Sequence, residues 1–485
     1  MLSKKSEFIR FSSYCGYTVL SFKTGRIFIK EEYFISKMPN FAHSDAEAPP
    51  SVFLYHKKLN FKEAEWPGRL FRLDFCYAKI SIILLIYNIF GLIYAKKKHR
   101  FCPPGSIMER LIDFASSVPD FRRLDKGNIR HRLKDIIMLM ILGRASGCVG
   151  RADIIEFGRY NINKFRKMGM LRNGVPSEAT LCRVESGIND SAMADRMQEF
   201  VGVYHAELLK SSCDKEIISV DGKAECGTVL ENGRNPDIVS AYSYNTGIIL
   251  ATEACQEKSN EIKAVPLLLG KIDISGKIVT ADAMSMQKEI IGIIRAKGGD
   301  FIIELKANQR SLRYDVEDRL KKHSPVYSYT EGPELGHGRI ETRTCRIYDG
   351  LEVIADREKW GGDMTIIEYQ TDTVRKSTGA QTSEKRLYVS SLPLDTPAIG
   401  NIVRGHWSIE SMHWGLDRNL LQDKIKRKSG KAARNLDTIQ RIVYSVFSIW
   451  KCLRKKRSDK KKGVAELMRL VSMSFTRLIH FLCQK

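Results

Sequence analysis

The chain has 485 residues, with 79 Lys and Arg against 56 Asp and Glu, giving a formal charge of +23. That length accommodates two or three domains with at least one sizeable core, and a hydrophobic content of 43% excludes general disorder. The charge favours a polyanionic partner, nucleic acid before anionic membrane, while eleven cysteines without a CxxC pair exclude a disulfide framework and fit a reducing compartment.

Residues 1–105 differ from the rest. They hold an apolar run, Ile80 to Ala95, followed by Lys96, Lys97, Lys98, His99 and Arg100. The run falls short of the ~20 residues that span a bilayer, so a membrane anchor is disfavoured against a buried segment. Pro103-Pro104-Gly105 break the chain and Met108 follows at once. The functional protein is therefore expected to begin near Met108, with 1–105 an atypical extension.

Residues 106–212 read as helices. Leu133 to Leu142 is almost wholly apolar and predicts a buried helix. A second helix is expected over Ile154 to Phe165. Asn173-Gly174 marks a turn, and Ser177 is placed to cap the helix that follows. Arg159, Lys164, Arg166, Lys167, Arg172 and Arg183 make the module basic. Both a DNA-binding domain and a packing module with solvated charges fit that pattern.

Residues 213–435 alternate strands with helices. Ile217–Val220 is a strand ending at Asp221. Val239–Tyr244 and Ile248–Ala254 form a hairpin around Asn245-Thr246-Gly247. Asn260–Leu269 is helical in pattern despite Pro266. Lys277–Thr280 is a strand ending at Asp282, Gln287–Ala296 a helix, Phe301–Leu305 a strand and Ser311–Lys322 a helix. The order predicts an α/β sheet with an antiparallel edge. A mixed segment over about 323–392, with strands at Thr365–Tyr369 and Arg386–Val389, reads as a β-rich insertion. Asn435 to Trp450 is an amphipathic helix opening a basic helical tail over 436–485, with a solvated charge run at Arg454 to Lys462.

Arg404 to Lys424 contains no Pro and reads as one helix. Ile409, Met412, Leu416 and Leu420 share an apolar stripe at about 100° per residue. His406, Glu410, His413 and Asp417 share the neighbouring face, bordered by Trp407 and Trp414. A carboxylate beside an apolar stripe is costly unless it has a partner. The partners could lie within the face, or Glu410 could meet Asp221 and Asp282, whose strand ends are where functional groups of α/β sheets gather. Three converging carboxylates repel unless a cation sits among them. Oxygen-only ligands suit Mg²⁺, with Mn²⁺ as substitute. Zinc is disfavoured because no HExxH and no fourth ligand cluster is present.

The motifs FGR at 157–159, NGVPS at 173–177, VDGK at 220–223, EKSNEIKAVPLLL at 257–269, TADAMSMQKEI at 280–290, GGDFIIELKANQ at 298–309, HGRIETR at 337–343, HWSIE at 406–410 and HWGLD at 413–417 occur in that order. In them the chain resembles bacterial insertion-sequence transposases of the DDE superfamily, in the H-repeat-associated subgroup. The resemblance runs from about Ser106 to Tyr444. It implies a ribonuclease-H-like catalytic core with a β-rich insertion, preceded by a helical N-terminal domain. It implies that Asp221, Asp282 and Glu410 are the catalytic, Mg²⁺-binding triad; His413 and Asp417, which share the helical face of Glu410, are expected to support it. It also implies double-stranded DNA as partner, a homodimer or higher multimer on that DNA, and a cytoplasmic, nucleoid-associated location. The wider superfamily has Tyr, Arg and Lys around the glutamate. Here Val403, His406 and Asp417 stand at those positions, and Ser411 stands where the subgroup has Asn. Lys223, Lys306, Arg339, Arg343, Arg404, His406 and Trp407 are the candidate DNA contacts.

Three functions compete on this reading. They are an active transposase that cleaves DNA and transfers the freed strand, a non-catalytic DNA-binding relic of one, and a membrane-anchored protein using Ile80 to Ala95.

Overall fold

The structure is a computed structural model. It describes strands at 7–10, 17–23 and 26–32, and residues 102–484 except 126, 211–214, 230–232, 256–260, 337, 356, 361 and 428. The run from Ile80 to Ala95 lies outside the described residues. Among those described, no helix is long and apolar enough to cross a membrane. The chain divides into two units, Met1–Lys96 and Lys97–Lys485. In the first, β1 (Glu7–Arg10), β2 (Tyr17–Lys23) and β3 (Arg26–Glu32) form an antiparallel meander.

The second unit opens with α1 (Ile107–Ser117), α2 (Leu133–Ala145), α3 (Arg151–Tyr160), α4 (Ile162–Lys167), α5 (Glu178–Gly187) and α6 (Asp190–Leu209). The apolar sequence of α2 buries it almost all round, as predicted. Its buried Asp135 is held by Arg132 at 2.9 Å and accepts the Leu171 N–H at 3.1 Å. Ser177 caps α5, accepting the Thr180 N–H at 3.3 Å. The single helix expected over Ile154 to Phe165 is two. Asn161 breaks it, its side-chain amide donating to the Phe157 carbonyl at 2.9 Å in competition with the helical ladder.

Next come β4 (Ile217–Ala224), β5 (Asp237–Ser243), β6 (Ile248–Ala254), α7 (Glu261–Lys271), β7 (Ile278–Ala281), α8 (Lys288–Ala296), β8 (Asp300–Leu305) and α9 (Arg310–Leu320). The insertion supplies β9 (Tyr327–Gly336), β10 (Arg339–Asp349), α10 (Gly350–Val353), β11 (Thr365–Arg375) and β12 (Gln381–Ser390). All nine strands join one sheet, ordered β6-β5-β4-β7-β8-β12-β11-β10-β9. β4 pairs antiparallel with β5 and parallel with β7, and β7 pairs parallel with β8. This five-strand core is ribonuclease-H-like. β12 pairs antiparallel with β8, so the insertion continues the core sheet rather than forming a separate one.

The chain ends in α11 (Ile399–His406), α12 (Ser408–Asn419), α13 (Gly430–Leu453), α14 (Arg457–Lys461), α15 (Val464–Ser472) and α16 (Phe475–Leu482). The helix read over Arg404 to Lys424 breaks at Trp407, so His406 belongs to α11 and Glu410 to α12. The predicted stripe holds: Ile409, Met412, Leu416 and Leu420 are all buried, each contributing about 1.5–3 kcal/mol of transfer free energy. The helix read as amphipathic, α13, is buried along nearly its whole length. It packs against α5, α6 and β6. Polar groups fix it there. Asn435 donates to the Glu185 and Ile188 carbonyls at 2.8 and 3.0 Å, and the Arg441 guanidinium holds Asp437 and donates to Ser240 Oγ at 2.7 Å.

Candidate active site

Register positions the first two acids. Val220 of β4 pairs with Ala281 of β7, the last residues of that parallel ladder. Asp221 and Asp282 therefore emerge side by side one residue further on. β4 itself does not stop at Val220 as expected. It runs to Ala224 against β5 alone, so Asp221 stands inside a strand whose parallel neighbour has ended. Asp282 opens a short turn over Ala283–Ser285. Burial, then the Asp221 carboxylate, raise the Asp282 carboxyl above its ordinary value, against the Ser285 and Met284 N–H groups and the charge of Lys306.

Strand residues alternate between faces, so Asp221 shares a face with Ser219. Ser219 Oγ contacts the Gly405 carbonyl of α11 at 3.4 Å and accepts from Thr280 Oγ1 at 3.1 Å. His406 Nδ1 lies 3.2 Å from the same Thr280 hydroxyl. Burial holds the His406 imidazole below its ordinary pKa although Asp221 and Glu304 pull the other way. On α12, His413 is 9% exposed, with Nδ1 3.5 Å from Asp221 Oδ2 and no partner for Nε2. His413 thus backs Asp221 directly. Glu410 lies one turn earlier on α12 and is exposed. Among the described residues, no group of three His, Cys, Asp or Glu side chains converges on a metal-sized point. The structure brings together Asp221, Asp282, His406 and His413, and leaves Glu410 exposed on α12.

Asp417 pairs with Lys223, at 2.9 Å, and Lys223 also meets Asp423 at 3.1 Å. Burial works against the lysine's charge, but the two aspartates hold its pKa above the ordinary value. The side chain is 9% exposed, so Lys223 acts within this structure as a buried tie between β4 and the end of α12. Arg343 is likewise enclosed, bonded to Glu341 and to Glu334 at 2.7 Å. Arg404 reaches the same Glu334 at 3.3 Å. Arg339 pairs with Glu341 at 2.5 Å and Lys306 with Glu304 at 2.8 Å, both half-exposed. Arg386 lies 5.1 Å from the ring centre of Trp407, and Trp414 is exposed.

One acid that the sequence did not single out stands in the cluster. Glu261 opens α7, where a glutamate complements the helix dipole and attracts no notice. Its carboxyl lies against Gly222, where an added Cβ would stand 2.5 Å from Glu261 Cδ. The absence of a side chain after Asp221 is the signal that could have revealed it.

Residues 112–201 match the DDE_Tnp_1-associated family and residues 224–446 the Transposase DDE domain. Two relatives extend the match to most of the chain. "H repeat-associated putative transposase YhhI" of Escherichia coli K12 is 30% identical over 76% of this chain and 96% of its own length. "Putative transposase YncI" of Escherichia coli O157:H7 is 30% identical over 74% and 92%. The chain belongs to the H repeat-associated transposases of the DDE superfamily. A cryo-EM structure of a piggyBac transposase synaptic complex with hairpin DNA aligns over 79% of each chain, at 11% identity and a TM-score of 0.40.

The DDE family works with divalent metal ions. The donors present here fit a hard one: they are carboxylate oxygens, with burial and then neighbouring carboxylates raising the Asp282 and Glu261 pKa values, and the buried Nε2 of His413 lacks a partner.

Proposed function

We propose that this transposase catalyses metal-dependent DNA cleavage and strand transfer of an insertion sequence, using Asp221, Asp282 and Glu410. The observation that carries the reading is the shared end of the β4–β7 ladder, beyond which Asp221 and Asp282 follow side by side. Asp221 and Asp282 would hold Mg²⁺ or Mn²⁺, and Glu410 on α12 would complete the set. Such ions, when bound, polarise the attacking and leaving oxygens of a phosphodiester. His413 orients the Asp221 carboxylate. His406 fixes α11 to β7 through Thr280 and so sets the position of α12.

DNA would be gripped elsewhere. A cleft of about 710 Å³ in the helical region is lined by Arg122, Arg123, Arg130, Arg159 and Arg183, a surface that suits phosphate contacts. We take the working species to be a multimer on double-stranded DNA, which light scattering of the complex checks.

The test uses the full chain, Mn²⁺ and DNA flanking its own gene. Asp282→Asn and Glu410→Gln should each lower cleavage by on the order of a hundredfold or more. Both should bind DNA with the salt dependence of the parent, because that dependence comes from released counterions. Parental cleavage by Asp282→Asn would overturn the catalytic assignment. Parental cleavage by Glu410→Gln would remove Glu410 from it. A chain that binds but never cleaves is the relic.

A further inference from the structure

We propose that Glu261 is a fourth carboxylate of the same metal site, reaching it from the face of the sheet opposite α12. The inference rests on the assignment of Asp221 and Asp282 as metal ligands, and it adds a residue that the triad does not contain.

The geometry comes from the pleat. Asp221 and Gly222 are consecutive in β4 and point to opposite faces. Asp221 meets His413 of α12 on one face. On the other, the position of a Gly222 Cβ is occupied by the Glu261 carboxyl, with Oε1 2.5 Å and Oε2 3.0 Å from it. Any other residue at 222 would hold Glu261 away from the strand. With glycine there, the acid at the start of α7 reaches the place where β4 outlasts β7. Burial raises the Glu261 pKa above its ordinary value, and Asp282, Asp221 and Asp237 push it in the same direction. Glu261 is thus within electrostatic reach of both proposed ligands.

A second observation indicates that the cluster awaits a ligand. His413, nine-tenths buried and turned toward Asp221 through Nδ1, leaves Nε2 without a partner. A buried nitrogen of this kind is normally satisfied, and a hydrated cation among the carboxylates brings water to it. Oxygen donors from two faces of a sheet also suit a cation that takes six or more oxygens better than one face does. Glu410 closes the site from α12 and Glu261 from α7.

The experiment measures Mn²⁺ binding to the full chain, by electron paramagnetic resonance of free Mn²⁺ and by the metal-induced rise in Tm. Glu261→Gln, Glu261→Asp and Asp282→Asn are compared with the parent. Without metal, Glu261→Gln should melt at the parental temperature or above, because one of several repelling carboxylates has lost its charge. Its Mn²⁺ affinity should fall roughly tenfold or more, and the metal-induced rise in Tm should shrink accordingly. Glu261→Asp keeps the charge at the helix start but shortens the reach, so it too should bind Mn²⁺ more weakly. If Glu261 serves only the helix dipole, Glu261→Gln lowers the metal-free Tm, Glu261→Asp is neutral and both keep parental affinity. That result overturns the proposal. The parent assignment fails separately, if Asp282→Asn binds Mn²⁺ like the parent.

Discussion

The two halves of the nine-stranded sheet share one hydrogen-bonded ladder but are stabilised by different means. From β6 to β8 the strands are buried for most of their length. From β12 to β9 burial is partial: the β12 end nearest β8 is buried and β11 and β10 are partly buried, while the first five residues of β12 and most of β9 are exposed. In the covered half, charge appears at strand ends or inside enclosed pairs such as Asp437–Arg441, at 2.6 Å. In the outer half, charges bridge neighbouring strands, as in Arg346–Glu368 at 2.5 Å and Lys385–Glu368 at 3.5 Å. The difference shows how one sheet can fix carboxylates at one end while, at the other, a smaller buried cluster of Cys345, Ile347, Ile367, Tyr369 and Tyr388 is flanked by charged pairs that bridge neighbouring strands.

The comparison breaks most severely at Arg441. Arg441→Ala strands the Asp437 carboxylate in the core and should cost about 3–5 kcal/mol in urea unfolding. A loss under about 1 kcal/mol would mean that the pair is not enclosed in solution. Next comes Glu225, buried beside Asp437 and Gln422. Burial, then the Asp437 carboxylate, push its carboxyl up to about 8 from 4.5. The native state keeps a proton there that the unfolded chain releases, so this group makes stability fall as pH rises from about 4.5 to about 8. Glu225→Gln should remove that slope. Its advantage over the parent should grow across the window to on the order of 2–4 kcal/mol and then level off. Equal advantage at pH 5 and pH 9 would show that Glu225 titrates normally.

The outer half should respond weakly. Glu368→Ala removes the acid shared by Arg346 and Lys385 and should cost about 1 kcal/mol, less at high salt. A salt-independent loss of several kcal/mol would show that the Glu368 pairs are enclosed in the way Asp437–Arg441 is. Glu384→Ala, at the exposed end of β12, should change stability by no more than about 0.5 kcal/mol.

Legibility in the sequence follows the same division. The covered half has strict apolar patterns, so its strands, the stripe on α12 and the placement of Asp221 and Asp282 could be read directly. β9 and most of β10 could not. β9 is exposed along most of its length and carries no alternation, while the inward positions of β10 include Arg343 and Cys345 rather than a run of apolar residues, so only the cores of β11 and β12 showed. The break at Trp407 was hidden because α11 and α12 each keep helical spacing across it. α13 passed for amphipathic because Asp437, Gln440 and Arg441 are polar, and only the fold reveals that they satisfy one another or the backbone inside. Lys223 read as a phosphate contact because nothing in VDGK announces Asp417 and Asp423, which lie nearly two hundred residues away.

The outermost strand has a further consequence, for self-association. Among the described residues, β9 is the free edge of a sheet whose other strands are paired on both sides or, like β6, packed against α6. An open edge invites another chain to add a strand. β9 discourages it. Gly332 and Pro333 oppose the single residue Thr342 in a bulge, Pro333 has no N–H to donate, and Glu331 and Glu334 flank it with charge. A second copy would therefore find little at this edge with which to lengthen the sheet into a fibre.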